Sequence, residues 1–93
     1  MKVYLKSISD EGDCFTGEAI LECFDYLGEK HFGLFDRDYI KRSMLEVALY
    51  NVIMSGDNPS KDIVEVVPQG GQFVARGNKL RVFRNQLAFC NEE

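Results

Sequence analysis

The sequence predicts an α+β fold, an antiparallel sheet of about five to six strands in the order β-β-β-α-β-β-β, packed on one helix. Three observations carry that expectation. Residues 15–24 alternate apolar and polar side chains with period two, residues 37–55 read as one long helix between acidic and Gly punctuation, and residues 63–83 hold further apolar runs separated by turn formers. A chain of 93 residues buries only about 64% of its unfolded surface, enough for one modest core. The whole of 1–93 is therefore read as a single domain.

The opening segment KVYLKSIS is apolar and β-branched, and the acidic stretch DEGDC then interrupts it as turns do. In FTGEAILECF, Phe15, Ala19, Leu21 and Cys23 share one side, while Thr16, Glu18 and Glu22 share the other. Residues 2–24 thus read as an antiparallel hairpin with one polar face. A turn at Tyr26 to Lys30 leads to HFGLF as a third strand, in which Gly33 marks a bulge or a close approach of backbones.

Asp36 or Asp38 can accept the free amides of a first helical turn, so a helix is expected from Arg37 to Ser55 with Gly56 ending it. Asp38, Lys41, Arg42 and Glu46 lie on one flank at 100° per residue, but Met44 to Met54 is apolar almost all round. Such a helix needs cover on more than one side. Either the sheet curls about it, or a second copy covers it through Met44, Leu45, Leu49, Val52 and Ile53, giving a homodimer. In either case an acid at Leu49 or Val52 is expected to prevent folding.

SGDNPSKD is a loop that Pro59 helps to define, DIVEVV a strand, and Pro68 to Gly71 a turn. QFVARGNKLRVF reads as a hairpin tipped by Gly77 and Asn78, which sets Phe73 opposite Val82 and Gln72 opposite Phe83. Phe73, Ala75, Leu80 and Val82 then form a core face. Gln72, Val74, Arg76, Lys79, Arg81 and Phe83 form the other, three cations with an aromatic at the edge.

Charge is unevenly spread. The formal net charge is −4; residues 1–58 carry six basic and eleven acidic side chains, whereas 66–91 carry Arg76, Lys79, Arg81 and Arg84 and no acid. An acidic balance argues against a protein that coats nucleic acid, though the basic hairpin keeps an RNA- or DNA-binding domain as the alternative, with Arg76, Lys79, Arg81 and Phe83 as its contacts. The acidic half offers the opposite surface: Asp10, Glu11 and Asp13 in one turn, Glu18 and Glu22 on one strand face. Carboxylates converging there suit a basic protein partner, such as a nucleic-acid-binding protein.

Catalytic and metal chemistry find little footing. His31 is the one histidine, and the sequence holds no GxSxG, HExxH, P-loop or GxGxxG signature. Cys14, Cys23 and Cys90 form an odd set without a CxxC pair, and their spacing with His31 matches no zinc module, so neither metal nor cofactor is expected. Those cysteines and an N-terminus without a leader pattern point to a reduced, cytoplasmic protein, and no apolar run is long enough for a membrane helix. The reading that follows is a small non-enzymatic binding protein that occupies the surface of another macromolecule, as immunity proteins and phage-encoded inhibitors do. A ligand-binding or enzymatic dimer is the further alternative.

Overall fold

The structure, a computed structural model, describes residues 1–6, 8–13, 17–73 and 78–90, with the backbone alone described at 10–13. Ten strands fill it: β1 (Lys2–Leu5), β2 (Ser9–Asp13), β3 (Glu18–Phe24), β4 (Lys30–Asp36), β5 (Ile40–Lys41), β6 (Met44–Met54), β7 (Ile63–Pro68), β8 (Gly71–Phe73), β9 (Leu80–Phe83) and β10 (Leu87–Cys90). Single 3-10 turns stand at Arg37–Tyr39, Pro59–Lys61 and Arg84–Gln86. The larger sheet runs β10-β1-β6-β7-β9 with β5 also on β6, and the smaller runs β2-β3-β4-β8. One buried cluster takes Leu5, Leu45, Val47, Val64, Val66, Leu80, Val82 and Leu87 from the first sheet and Ala19, Leu21, Cys23, Phe35 and Phe73 from the second. Two sheets enclosing one core make an antiparallel β-sandwich.

The α+β expectation is therefore overturned, because the described residues contain no α-helix. Residues 44–54, expected as its apolar turns, are the longest strand instead. Leu45 and Val47 are buried while Met44 and Glu46 are half-buried, a period of two and not of 3.6. Val47, Tyr50, Val52 and Ile53 supply the stiff branched and aromatic side chains that favour extended backbone. What looked like an all-round apolar helix is a strand with apolar residues on both faces. Asp36 does cap as its sequence position implied, its Oδ1 accepting the Asp38 amide at 2.9 Å, but the turn it caps is only Arg37–Tyr39. The chain then reverses at Arg42 and Ser43, with φ of 52° and 60°, the two left-handed residues that a tight β5–β6 hairpin requires.

Two hairpins are also reassigned. Within 2–24, the strand that pairs with β3 is β2, from Ser9 opposite Glu22 to Asp13 opposite Ala19, so Asp10, Glu11 and Asp13, expected in a turn, belong to a strand. β1, however, lies in the other sheet between β6 and β10. At 72–83 the two arms do not pair: Phe73 is opposite Gly33 and Gln72 opposite Leu34 on β4, whereas Val82 is opposite Val64 and Phe83 opposite Ile63 on β7. The arms separate because both Phe73 and Val82 are buried, each entering the core from its own sheet. Phe73 meets Phe35 edge-on with ring centroids 5.2 Å apart. Val74, Ala75, Arg76 and Gly77 lie outside the described residues.

Gly33 is the close approach its strand position implied. A Cβ built there would lie 2.5 Å from the Phe35 ring and 2.6 Å from the Gln72 carbonyl oxygen, closer than atoms tolerate without moving a backbone.

Candidate functional site

Burial of Ala19, Leu21 and Cys23 on β3, and of Gly33 and Phe35 on β4, turns the intervening residues outward. The outer face of the smaller sheet is then fixed by register: Glu18 opposite Asp36, Ile20 opposite Leu34, Glu22 opposite Phe32 and Phe24 opposite Lys30, with Gln72 of β8 beyond Leu34. Phe32 is 45% and Leu34 40% exposed, large apolar side chains on the side away from the core. Ile20 beside them is half-buried. Lys30 Nζ lies 3.7 Å from a Glu22 carboxylate oxygen on this face. At the Glu18 end a cavity of about 480 Å³ is lined by Glu18, Leu34, Gly71, Gln72 and Phe73.

Of the acidic residues singled out in the sequence, Glu18 and Glu22 thus share one face, as their alternation requires. Asp10, Glu11 and Asp13 belong to β2 at the edge of the same sheet, and their side chains lie outside the description. Sequence reasoning missed Phe32 and Leu34. HFGLF is apolar on both parities, and only the burial of Phe35 shows which parity faces out.

Arg81 and Phe83 lie on β9 of the other sheet with Lys79 just before it, and all three have partners within the molecule. Lys79 Nζ stands 4.7 Å over the Tyr50 ring, Arg81 Nε is 3.5 Å from a Glu65 carboxylate oxygen, and Phe83 meets Tyr26 edge-on at 6.0 Å. Arg76 lies outside the described residues. A second cavity, of about 340 Å³, is lined by Asp25, Tyr26, Leu27, Glu65, Lys79, Leu80 and Arg81, so both signs of charge meet there.

The residues expected to self-associate divide. Leu45 is wholly buried in the core and Met44 half-buried, but Leu49, Val52 and Ile53 are 38%, 46% and 36% exposed. Tyr50 and Met54 are exposed with them.

One constellation has the residue types of a nucleophilic site. His31 lies directly across from Cys23 on neighbouring strands, and its Nε2 is 2.9 Å from Asp25 Oδ2. Burial, with Glu22 beside it, pushes the Cys23 thiol up to about 12, so at neutral pH the sulfur is protonated as well as sealed from solvent. Such a thiol packs as a small hydrophobe and does not attack. Asp25 is structural in the same way, its Oδ1 accepting the amides of Leu27 and Glu29 at 2.9 Å each. Among the described residues no group of three or more His, Cys, Asp or Glu is placed to hold a metal ion.

No family model, curated protein or solved structure matches this chain. Among the described residues no helix is long and apolar enough to cross a membrane.

Proposed function

We propose that the protein is a small non-enzymatic binding protein that acts in the cytoplasm by occupying the surface of a basic protein partner through the outer face of its smaller sheet. The observation that carries this reading is the exposure of Phe32 and Leu34 away from the core. Around them stand Glu18, Glu22, Asp36, Lys30 and Gln72. An apolar centre inside a polar rim is the anatomy of a protein interface, and aromatic side chains at such centres carry much of the binding energy. Three carboxylates against one ammonium in that rim favour a cationic partner. The free thiols of Cys23 and Cys90 support a reducing compartment.

The test is capture from lysate in nuclease-treated and untreated arms, comparing the native chain with the Phe32→Ser/Leu34→Ser variant. The expected result is a defined protein partner, retained after nuclease and lost with the variant while circular dichroism is unchanged. Reversing Glu18 and Glu22 to Lys should slow association with that partner and flatten its salt dependence, because carboxylates on a binding face steer encounter even when half-buried. Capture that vanishes with nuclease, or that survives the Phe32 and Leu34 changes, would sink the reading.

A further inference from the structure

Among the described residues, the far half of β6 is open along one edge. β1 pairs with β6 only from Leu5 opposite Leu45 to Val3 opposite Val47, while β5 and β7 share the other edge. From Ala48 onward, one backbone edge of β6 has no strand partner among the described residues. The side chains repeat the pattern. Leu49 is opposite Val66 and Val52 opposite Val64, and both of those valines are completely buried. Opposite residues share a face, so Leu49 and Val52 continue the core face, yet they remain 38% and 46% exposed.

We infer that the protein forms a two-fold symmetric dimer in which Leu49–Met54 of β6 pairs antiparallel with the same segment of a second copy. Two features of this edge favour that occupant. The segment ALYNVIM, residues 48–54, holds no charged side chain, so pairing it with its own copy sets no like charges of the segment opposite each other, and the neighbouring Lys79 ammonium is already seated on the Tyr50 ring. The segment also lacks the Lys and Pro with which open edges are usually blunted.

The exposed side chains of Leu49, Tyr50, Val52, Ile53 and Met54 offer on the order of 500 Å² per copy before the paired backbone is counted, against the ~800 Å² per partner of a standard interface. An interface below the standard size assembles with concentration. The inference uses the larger sheet and does not depend on the function proposed for the smaller one. Pairing along β6 leaves Phe32 and Leu34 uncovered in both copies, so the dimer is bivalent.

Light scattering on the native chain at tens of micromolar should return a mass near twice the 10.6 kDa of the monomer. Tyr50→Lys/Met54→Lys, changed at two exposed positions, should return the monomer mass with an unaltered circular dichroism spectrum. Hydrogen exchange on the native chain supplies the second measurement: amides within 49–54 should slow as protein concentration rises, and those of the smaller sheet should not. A native chain that stays monomeric, a dimer that the folded lysine variant preserves, or amides in 49–54 indifferent to concentration would each overturn the proposal. If the lysine variant does not fold, the exchange result decides.

Discussion

The backbone amide of Tyr26 donates to the Arg81 carbonyl at 2.9 Å, so the turn between β3 and β4 in one sheet hangs from the terminal strand of the other. The bond occupies an acceptor on an outer edge that would otherwise be open, and the Tyr26 ring then seats against Phe83. The edge of the larger sheet at β9 is covered in this way, whereas that of β6 beyond Ala48 is not. The residue before Tyr26 gives the turn its shape, since Asp25 gathers two amides and the His31 ring on one carboxylate.

Burial raises the Asp25 carboxyl, but the His31 hydrogen bond and the amides of Glu29 and Leu27 outweigh it and hold the group below its ordinary value of 3.8. A carboxyl with a depressed folded-state value stabilises the fold above its unfolded value, and that stability is lost as pH falls through the folded one. The resistance of the native chain to urea should therefore fall as pH drops below about 3.8. Asp25→Asn should show a shallower acid decline, and Asp25→Ala should cost roughly 1–3 kcal/mol at neutral pH by stranding the two amides.

Gly33→Ala should destabilise the protein by about 1–3 kcal/mol, because the new methyl overlaps both the Phe35 ring and the Gln72 backbone. The loss should concentrate on the β4–β8 pairing. Hydrogen exchange would show it as faster exchange of the Phe73 amide, while protection in β7 and β9 persists.

Arg42 and Ser43 sit in left-handed backbone that costs non-glycine residues roughly 1–2 kcal/mol each. Replacing the pair by Asn-Gly should relieve part of that strain and raise the melting temperature, by about 4–8 °C for each kcal/mol recovered. An unchanged or lower melting temperature would mean that these side chains contribute contacts outweighing the strain.

Acidic substitutions along β6 should separate sharply with position. Leu45→Asp puts an unpaired carboxylate in a wholly buried site, costing several kcal/mol against a total stability of about 5–10, and should leave the chain unfolded by circular dichroism. Leu49→Asp and Val52→Asp should fold, since both side chains reach solvent in the single chain. This reverses the expectation that a helix would bury them.

How far the sequence was readable varies by element. β3, β4 and β7 were legible because their strands are bounded by turn formers, and in β3 a strict alternation also separates Ala19, Leu21 and Cys23 from Glu18 and Glu22. β6 was not. Its apolar residues fall on both parities, and the turn before it is made by Arg42 and Ser43, neither of which announces positive φ as Asn-Gly does. The Gly77-Asn78 pair misled in the other direction, because local turn chemistry cannot say that Phe73 and Val82 enter the core from different sheets. Half of the candidate site followed the same division: Glu18 and Glu22 were legible from alternation, while Phe32 and Leu34 required knowing where the core lies.

The sealed thiol of Cys23 makes the protein its own clock. Alkylating reagents attack the thiolate, and a protonated sulfur with no solvent exposure is out of their reach until β3 parts from the larger sheet. Time-resolved labelling, with the modified peptide located by mass spectrometry, would therefore count opening events of the sandwich under native conditions without denaturant. Repeating the count across a dilution series would report whether joining a second copy slows the breathing of a strand that lies in the opposite sheet.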